Sequence, residues 1–289
     1  METGNAPARD VSARSSPSPG TPSLDAARRR AHMPPGTARI LDRRTLESGF
    51  PRLAELLSPG MRVLDVGCGT GAITQGIAQR VQPGGRALGV DTNERLIEEA
   101  RRTHAGVPGL EFLRADAYEL PFHRAFDLVA AARLLQWLAE PERALASMGR
   151  ALVSGGTLAV LDYNHEKIEW RPAPPESARR FYQAFLRWRA DAKMDNRIAD
   201  RLAGMLCGAG FRGVRVTEQH EEARRGDPDF PAKAGIWAEV AASRGRQMVA
   251  DGYVTEEERS AAEQAFRLWA EEVGEYQRLY LLAAEGTAP

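Results

Sequence analysis

Short apolar runs alternate along this chain with stretches in which apolar residues recur at helical spacing. The runs are nearly continuous, as strands buried on both faces of a parallel sheet are, and they cover residues 63–66, 87–90, 110–114, 126–132 and 157–161. The helical stretches between them end at turn signals such as Gln82-Pro83-Gly84-Gly85. This alternation predicts an α/β fold in which helices join parallel strands.

Two further strand-like runs and two helical additions follow in the last part of the chain. The runs are residues 213–217 and 280–284, and the additions are about residues 165–196 and 226–277. Phe181, Phe185 and Trp188 share one face of the first addition. Such aromatic stripes usually form core, but helices inserted over the edge of a sheet can also line a pocket for a small molecule.

The first 32 residues differ in composition from the rest of the chain. They are rich in Ser, Pro, Ala, Gly and Arg, as in SSPSPGTPS, and they show no hydrophobic period. Such a segment cannot bury enough apolar surface to order itself. We therefore predict a disordered tail at residues 1–32 and one domain at residues 33–289.

The stretch from Val63 to Ala72, VLDVGCGTGA, carries the clearest chemical signal. It takes a predicted buried strand into glycines at alternate positions, Gly67, Gly69 and Gly71, just before a helix. Glycine allows a sharp turn and the close approach of a ligand, and the following helix N-terminus faces that ligand. The stretch contains no Lys or Arg, and its glycine spacing differs from that of phosphate loops and dinucleotide loops.

Two acidic residues end predicted strands at the same edge of the sheet. Asp65 would repel a pyrophosphate, but it suits a ligand that carries an ammonium group and a sulfonium. Asp91 ends the second strand roughly twenty residues after the glycines, where a carboxylate can accept from both ribose hydroxyls. Alternatively, residues 91–94 only cap the next helix. The two roles are compatible because a carboxylate has two oxygens.

The stretch VLDVGCGTGA resembles the first motif of class I S-adenosylmethionine-dependent methyltransferases. The family's later motifs follow in order over about residues 58–218 and in the final strand, and the chain is most similar to small-molecule enzymes of the ubiquinone/menaquinone-biosynthesis type. The resemblance implies a Rossmann-like sheet of seven mainly parallel strands with the last strand reversed. Helices would cover both faces, with helical insertions over the carboxyl edge.

The resemblance also implies S-adenosylmethionine as the cofactor and S-adenosylhomocysteine as the product. In the family, the acid at the position of Asp116 accepts from the adenine amino group, and the next backbone N–H, that of Ala117, donates to the ring. One of Arg43 and Arg44 meets the methionine carboxylate, or both are solvated surface residues. The implied cofactor-binding residues are Asp65, Gly67, Cys68, Gly69, Asp91, Thr92, Asp116, Ala117 and Arg133.

Polar residues after the fourth and fifth predicted strands are the candidates for contact with the methyl acceptor. Gln136 and Trp137 either face the reacting methyl group or pack against the following helix. Tyr163 and Asn164 leave the ligand-facing edge of the fifth strand. His165 is the candidate catalytic base because the ordinary pKa of an imidazole lies in the working range; alternatively, it is an ordinary loop histidine.

Composition narrows the classes of partner. The 39 basic and 39 acidic residues balance, so no global field attracts nucleic acid. No apolar run reaches the roughly 18 residues of a membrane span. The two cysteines are too few for a disulfide framework, and no His, Cys and carboxylate cluster has metal-ligand spacing. We predict a cytoplasmic protein without a metal, a membrane span or a nucleic-acid partner; a homodimer is possible.

The predicted reaction transfers a methyl group from S-adenosylmethionine to an O, N or C atom of a small molecule, such as a natural product or a quinone-like metabolite. The protein chiefly supplies alignment and exclusion of water, because the sulfonium is already a strong electrophile. The Asn/Asp-Pro-Pro-Tyr sequence of many nucleobase methyltransferases is missing. A non-catalytic S-adenosylmethionine-binding protein and an NAD(P)-dependent oxidoreductase remain as alternatives.

Overall fold

The computed structural model describes residues 22–34 and 43–289. Its centre is a single sheet, whose strands are β1 (Arg62–Val66), β2 (Arg86–Asp91), β3 (Leu110–Arg114), β4 (Phe126–Ala132), β5 (Leu152–Arg171), β6 (Arg212–Glu218), β7 (Glu221–Arg224) and β8 (Tyr276–Thr287). The strand order is β3-β2-β1-β4-β5-β8-β6, and β7 also pairs with β8. The predicted Rossmann-like α/β architecture is confirmed.

The sheet is parallel from β3 through β5, and β8 runs antiparallel to β5, β6 and β7. The order of the strands reverses at β1, which lies between β2 and β4. Open α/β sheets bind ligands at such a switch point, beyond the carboxyl ends of the strands. Asp65, Asp91 and Arg133 lie at or just after the carboxyl ends of these three strands, so the fold brings them to one edge.

Helices cover both faces of the sheet and its carboxyl edge. They are α1 (Pro22–Ala31), α2 (Leu46–Gly49), α3 (Pro51–Leu56), α4 (Ala72–Arg80), α5 (Glu94–Thr103), α6 (Pro141–Ala151), α7 (Glu176–Ala190), α8 (Ile198–Gly208), α9 (Phe230–Ala234), α10 (Ile236–Ala250) and α11 (Glu256–Leu268). Alternation along β4 sends Leu128 to the face that holds Ile77 and Val129 to the face that holds Leu145. The sheet therefore has a buried core on each face.

The helices α7, α10 and α11 form a cap with its own aromatic core. Phe181, Trp188, Trp237 and Phe266 are buried there, and the rings of Tyr182 and Trp237 meet edge to face at 4.6 Å between centroids. Aromatic pairs in this geometry add to the free energy gained by burying their area. The aromatic stripe of the first helical addition is thus core, as its spacing predicts.

Among the described residues the sheet has eight strands, so the predicted number of seven is wrong by one. The additional strand is β7, a charged segment of which Ala223 alone is buried. It pairs with the first residues of β8 and is stabilised by the hydroxyl of Tyr276, which donates to Glu222 at 3.0 Å. A strand with so little apolar character gives no hydrophobic signal in the sequence.

The bounds of the two helical additions also need correction. Strand β5 continues to Arg171, and β8 begins at Tyr276, where the two residues pair. Residues 165–171 of the first addition therefore belong to β5, its helix α7 begins at Glu176, and residues 276–277 of the second addition belong to β8. The outer part of β5, with its mixed polar and aromatic residues, pairs with β8 beyond a register irregularity, which a search for apolar runs does not detect.

The predicted tail is corrected in its last part. Residues 1–21 lie outside the described residues, but Pro22–Ala31 form helix α1. Leu24 and Ala27 are buried at 7% and 1% exposure, so two residues on one face dock this helix. Composition misses it because so few apolar side chains are involved and the partners that hold the helix are distant in sequence.

Candidate active site

The loop after β1 has the conformation for which its glycines were expected. Gly67, Gly69 and Gly71 have φ values of 79°, 56° and 82°, a region that other residues rarely adopt. A Cβ atom on Gly71 would also lie 2.5 Å from the ring of Phe112. The loop is held against β2 because the N–H groups of Gly67 and Cys68 donate to one carbonyl at 2.7 and 3.0 Å.

Asp91 connects this loop to the start of α5. One carboxylate oxygen accepts from the N–H of Gly69 at 3.1 Å, and the other accepts from the N–H of Asn93 at 2.9 Å. Burial raises the pKa of Asp91, while these hydrogen bonds oppose the rise. The residue at the N-cap of α5 is Asn93, so Asp91 shapes the turn and is not itself the cap. Thr92 lies in the same turn and lines a cavity of about 940 Å³ that borders this loop.

Asp65 is 3% exposed and accepts from the hydroxyl of Thr74 at 2.7 Å. Burial raises the pKa of Asp65 to about 6, and the charge of Asp91 adds to the rise. Burial also raises the pKa of the Cys68 thiol well above its ordinary value. The thiol is therefore protonated, and Cys68 fills the loop as a small side chain.

Asp116 and Ala117 follow β3 and line the same cavity. One oxygen of Asp116 accepts from the N–H of Tyr118 at 3.0 Å, and the other accepts from Nη2 of Arg28 at 3.0 Å. Arg28 belongs to α1, which covers this end of the cavity. This contact was not predicted, because residue 28 was expected to lie in a disordered tail.

The side chain of Arg133 donates hydrogen bonds to three different residues at the site. The residue has a positive φ of 57° and donates to the hydroxyl of Tyr163 at 3.0 Å, to the carbonyl of Gly49 at 2.9 Å and to Glu221. Burial alone would lower the pKa of Arg133, but the charge of Glu221 holds it above its ordinary value. Arg44 also donates to the hydroxyl of Tyr163, at 3.0 Å.

The predicted acceptor contacts divide into two groups. Gln136, Trp137, Tyr163 and His165 line the cavity. Asn164 does not: its side chain donates to Asp200 at 2.9 Å, and the structure does not bring it to the site. Successive side chains of a strand point to opposite faces, so Tyr163 and His165 face the cavity while the residue between them faces away.

His165 is a buried imidazole with a defined hydrogen bond. Its Nε2 atom lies 2.7 Å from Oε1 of Gln136, whose amide nitrogen donates to the carbonyl of Arg133 at 3.3 Å. Since that amide oxygen can only accept, Nε2 carries the proton and Nδ1 is the free acceptor. Burial, followed by the charge of Arg189, lowers the pKa of His165 well below its ordinary value. The imidazole is therefore neutral near pH 7.

This neutral state predicts a pH effect on stability. Below its ordinary pKa of 6.5, His165 takes up a proton in the unfolded chain but not in the folded protein, so acid favours unfolding. Relative to the His165→Gln variant, the wild type should lose free energy of unfolding as the pH falls from 7 towards 5. Urea unfolding of both proteins across this range measures the difference. A constant difference would show that His165 titrates normally in the folded protein.

One cavity of about 940 Å³ joins the loop, the acidic residues and the cap. Its volume lies near the upper end for small-molecule sites. Beyond the residues predicted from the sequence, helix α1 contributes one wall of the cavity. The end of the cavity beside the cap, where the methyl acceptor is predicted to bind, is called the acceptor end. Its apolar walls are formed by Phe185, Ile236, Trp237, Val240 and Leu279. Pocket-lining positions on α10 and β8 carry no motif, so only the folded chain reveals them.

Two features are absent from the described parts of the chain. Within residues 22–34 and 43–289, no group of three or more His, Cys, Asp or Glu side chains is arranged to hold a metal ion. In the same ranges, no helix is long and apolar enough to cross a membrane.

The fold is that of a Rossmann-like protein whose glycine loop lies at the switch point of its sheet. The family described as "Methyltransferase domain" matches residues 57–203, about half of the chain. The chain belongs to this family. The recognition made from the sequence is thereby confirmed.

Relatives agree with this assignment, and a solved structure agrees with the fold. The ubiquinone/menaquinone biosynthesis C-methyltransferase of Bordetella parapertussis is 31% identical over 195 residues, which cover 58% of this chain and 72% of that protein. Its counterpart from Ectopseudomonas mendocina is 38% identical over 133 residues, covering 45% and 50%. The YcgJ protein of Bacillus subtilis shares the fold with a TM-score of 0.55 and 16% identity, over 82% of this chain and 96% of that one.

The chain spans about half the length of the first curated relatives that it matches. The family match covers the part of the chain that carries the glycine loop and the acidic residues. The cap helices α10 and α11 lie beyond the family match, so their side of the cavity has to be interpreted from this chain's own residues.

Proposed function

We propose that this protein transfers a methyl group from S-adenosylmethionine to a planar, apolar small molecule, with S-adenosylhomocysteine as the product. The observation that carries the proposal is the cavity of about 940 Å³, which has the glycine loop with Asp65, Asp91 and Asp116 at one end and aromatic walls at the other. Family membership favours this activity over the NAD(P)-dependent oxidoreductase. The names of the relatives favour a quinone-like acceptor and a carbon atom as the methylated position.

The residues of the cofactor end fit an adenosyl ligand. Thr70 Oγ1 and Asn93 Nδ2 are buried and have no hydrogen-bond partner among the described residues, and both residues line the cavity. Such unpaired polar atoms are costly unless a ligand or water satisfies them. The positive φ values of the loop glycines allow the backbone to approach that ligand closely.

Each polar group at this end has a proposed partner on the cofactor. Asp91 would accept from the ribose hydroxyls, and Asp116 and the N–H of Ala117 would bind the adenine edge. Asp65 would lie near the ammonium group, and Arg44 and Arg133 would face the methionine carboxylate. Asp116 and Arg44 are each engaged by another residue in the structure, so these contacts would change when the cofactor binds.

The acceptor end orients its substrate by shape and excludes water. The rings of Trp137, Phe185 and Trp237 form flat apolar walls that suit a conjugated ring. When bound, the cofactor supplies a methyl group on a sulfonium, which is already activated for direct displacement. The chain's own contribution is to hold the acceptor atom in line with that methyl group and to keep water out.

The charges at the acceptor end favour a neutral or anionic acceptor over a cationic amine. Arg44 and Arg133, which would face the methionine carboxylate, meet at the hydroxyl of Tyr163 and so also border the acceptor end. The nearby carboxylate of Glu221 is paired with Arg133, and that of Asp162 accepts from two backbone N–H groups, at 3.1 Å each. The described carboxylates that line the cavity all lie at the cofactor end, so an ammonium group would find no free partner at the acceptor end.

His165 is proposed to contact the acceptor as a neutral hydrogen-bond acceptor, through Nδ1. Protonating it would place a charge in a buried aromatic setting, where the Tyr163 ring stacks on it at 5.2 Å between centroids and Arg189 adds positive charge. The free energy needed for that charge opposes the role of general base first considered for His165. An acceptor that reacts as an anion, or through carbon, needs no strong base.

Calorimetric titration of the purified protein with S-adenosylmethionine, S-adenosylhomocysteine and NADH tests the function. We expect micromolar binding of the first two, at one site per chain, and no heat with NADH. Binding of NADH alone would overturn the methyltransferase. Binding of the cofactor without methylation of any planar hydroxyquinone or phenol would instead favour a non-catalytic binding protein.

A cytoplasmic location and a homodimer stay predictions; the two free cysteines suit a reducing compartment.

A further inference from the structure

Helix α1 connects the cofactor end of the cavity to the cap. On one side, Arg28 Nη2 donates to Asp116 Oδ2 at 3.0 Å, and Ala27 and Ala31 line the cavity. On the other side, Arg30 donates to Asp251 at 3.0 Å, in the turn that ends α10. The helix thus lies across the place where the adenosine is proposed to bind, and it is fastened at both sides of that place.

The strongest attachment lies at the C-terminal end of α1. Nη1 of Arg244, on α10, donates to the carbonyls of Arg30 and His32 at 2.6 and 2.7 Å, and Nη2 donates to the carbonyl of Ala31 at 3.1 Å. Carbonyls in the last turn of a helix have no partner within the helix, and they carry its negative dipole end. The forked guanidinium matches several such acceptors at once.

The buried guanidinium of Arg244 finds most of its hydrogen-bond acceptors at the end of α1. The side chain is buried, at 5% exposure, and burial, followed by the charge of Arg189, lowers the pKa of Arg244. A buried cation needs hydrogen-bond partners to offset its lost hydration. Among the described residues, three of its four acceptors are carbonyls of residues 30–32. Loss of α1 from its position would leave this guanidinium nearly unpaired.

The same arginine lines the cavity beside Trp137. Its guanidinium carbon is 4.4 Å from the centroid of the Trp137 ring, a favourable cation–π distance, and Trp137 lines the cavity. Helix α10 also contributes Trp237 and Val240 to the acceptor walls. One helix therefore carries both the acceptor walls and the fastening of the helix that covers the cofactor.

We propose that Arg244 is a positioning residue, which holds α1 over the bound cofactor and links cofactor retention to the acceptor wall of α10. The inference rests on the proposed function. The cofactor leaves when α1 lifts, and lifting it requires breaking the contacts of Arg244. An acceptor that packs against Trp137 and α10 strengthens this fastening, so both ligands are enclosed together.

The test compares Arg244→Met with Arg246→Met, which removes an exposed arginine from the same helix. We expect Arg244→Met to release S-adenosylhomocysteine about tenfold faster in stopped-flow tryptophan fluorescence, since charge-assisted hydrogen bonds are lost. Trypsin should also cleave faster after residues 28–30 in the ligand-free protein. Arg246→Met should match the wild type in both measurements. Arg244→Lys keeps the charge, so its release and cleavage rates should lie between those of the wild type and Arg244→Met.

A double variant separates positioning from general damage to the cap. Arg28→Met removes the other fastening of α1, and its effect on release should be largely lost once Arg244 is replaced, because α1 is already displaced. Full additivity of the two changes, or unchanged cleavage in α1, overturns the inference. So does faster cleavage with unchanged release. A wild type that binds no S-adenosylhomocysteine would overturn the proposed function together with the inference, whereas normal binding by every variant overturns the inference alone.

Discussion

Replacing Asp91 with alanine is expected to weaken the binding of S-adenosylhomocysteine about 100-fold or more, because two hydrogen bonds to a charged group are lost. The carboxylate also holds the glycine loop through the N–H of Gly69 at 3.1 Å and orders the turn through the N–H of Asn93 at 2.9 Å. The variant therefore loses both the proposed ribose contact and part of the preformed loop. Calorimetric titration measures the affinity.

A matched control removes an aspartate from the other end of the sheet. Asp127, at the start of β4, accepts from Arg62 of β1 and lies far from the glycine loop. The Asp127→Ala variant should therefore bind S-adenosylhomocysteine as tightly as the wild type. Cooperative thermal unfolding should persist in both variants. Wild-type affinity in Asp91→Ala would reject the ribose assignment. Equal losses in both variants would point to damage of the whole sheet.

Replacing Arg133 with methionine is expected to lower the free energy of unfolding by about 2–3 kcal/mol, since a buried charge loses its partner. Glu221 would keep its carboxylate without the guanidinium, and the carbonyl of Gly49 would lose its donor. The expected loss is at the lower end for buried ion pairs because the Glu221 side chain is 27% exposed and Arg44 also lies near it. Urea unfolding at pH 7 measures it.

The double variant Arg133→Met/Glu221→Gln distinguishes the lost pair from lost packing. With both charges gone, most of the stability should return, because no uncompensated carboxylate remains. Arg143→Met is the surface control: Arg143 pairs with Glu119 in water, at 43% and 75% exposure, and its loss should cost less than ~1 kcal/mol. A double variant as unstable as Arg133→Met would show that the guanidinium acts through packing and its bond to Gly49.

The central part of the fold was predictable because its strands are buried on both faces. Strand β4, Phe126–Ala132, is an unbroken apolar run for this reason. Strands that are held by charged side chains carry no such apolar run. In the outer part of β5, Glu169 pairs with Arg278 of β8, and in β7 Glu222 accepts from Tyr276. Polar pairs between distant strands leave no periodic pattern in either segment.

The carboxylates beside the glycine loop were also predictable, because each lies at or just after the end of a predicted strand. Asp65, Asp91 and Asp116 all line the cavity. The remaining parts depend on contacts far apart in the chain: Arg28 and Asp116 are 88 residues apart, and Arg244 lies 214 residues from Arg30. Nothing local in the sequence marks such partners. Which side chains of the fifth strand face the cavity likewise depended on its register.

The position of β8 has a consequence for the order in which the chain assembles. Strand β6 (Arg212–Glu218) precedes the helices α9–α11, and among the described strands its partner is β8 (Tyr276–Thr287), which follows them. During synthesis, β1 to β5 can pair as they emerge, whereas β6 waits with both edges unpaired until the last strand arrives. Unpaired strand edges attract other chains. The interval before β8 is synthesised is therefore the period of greatest exposure to aggregation.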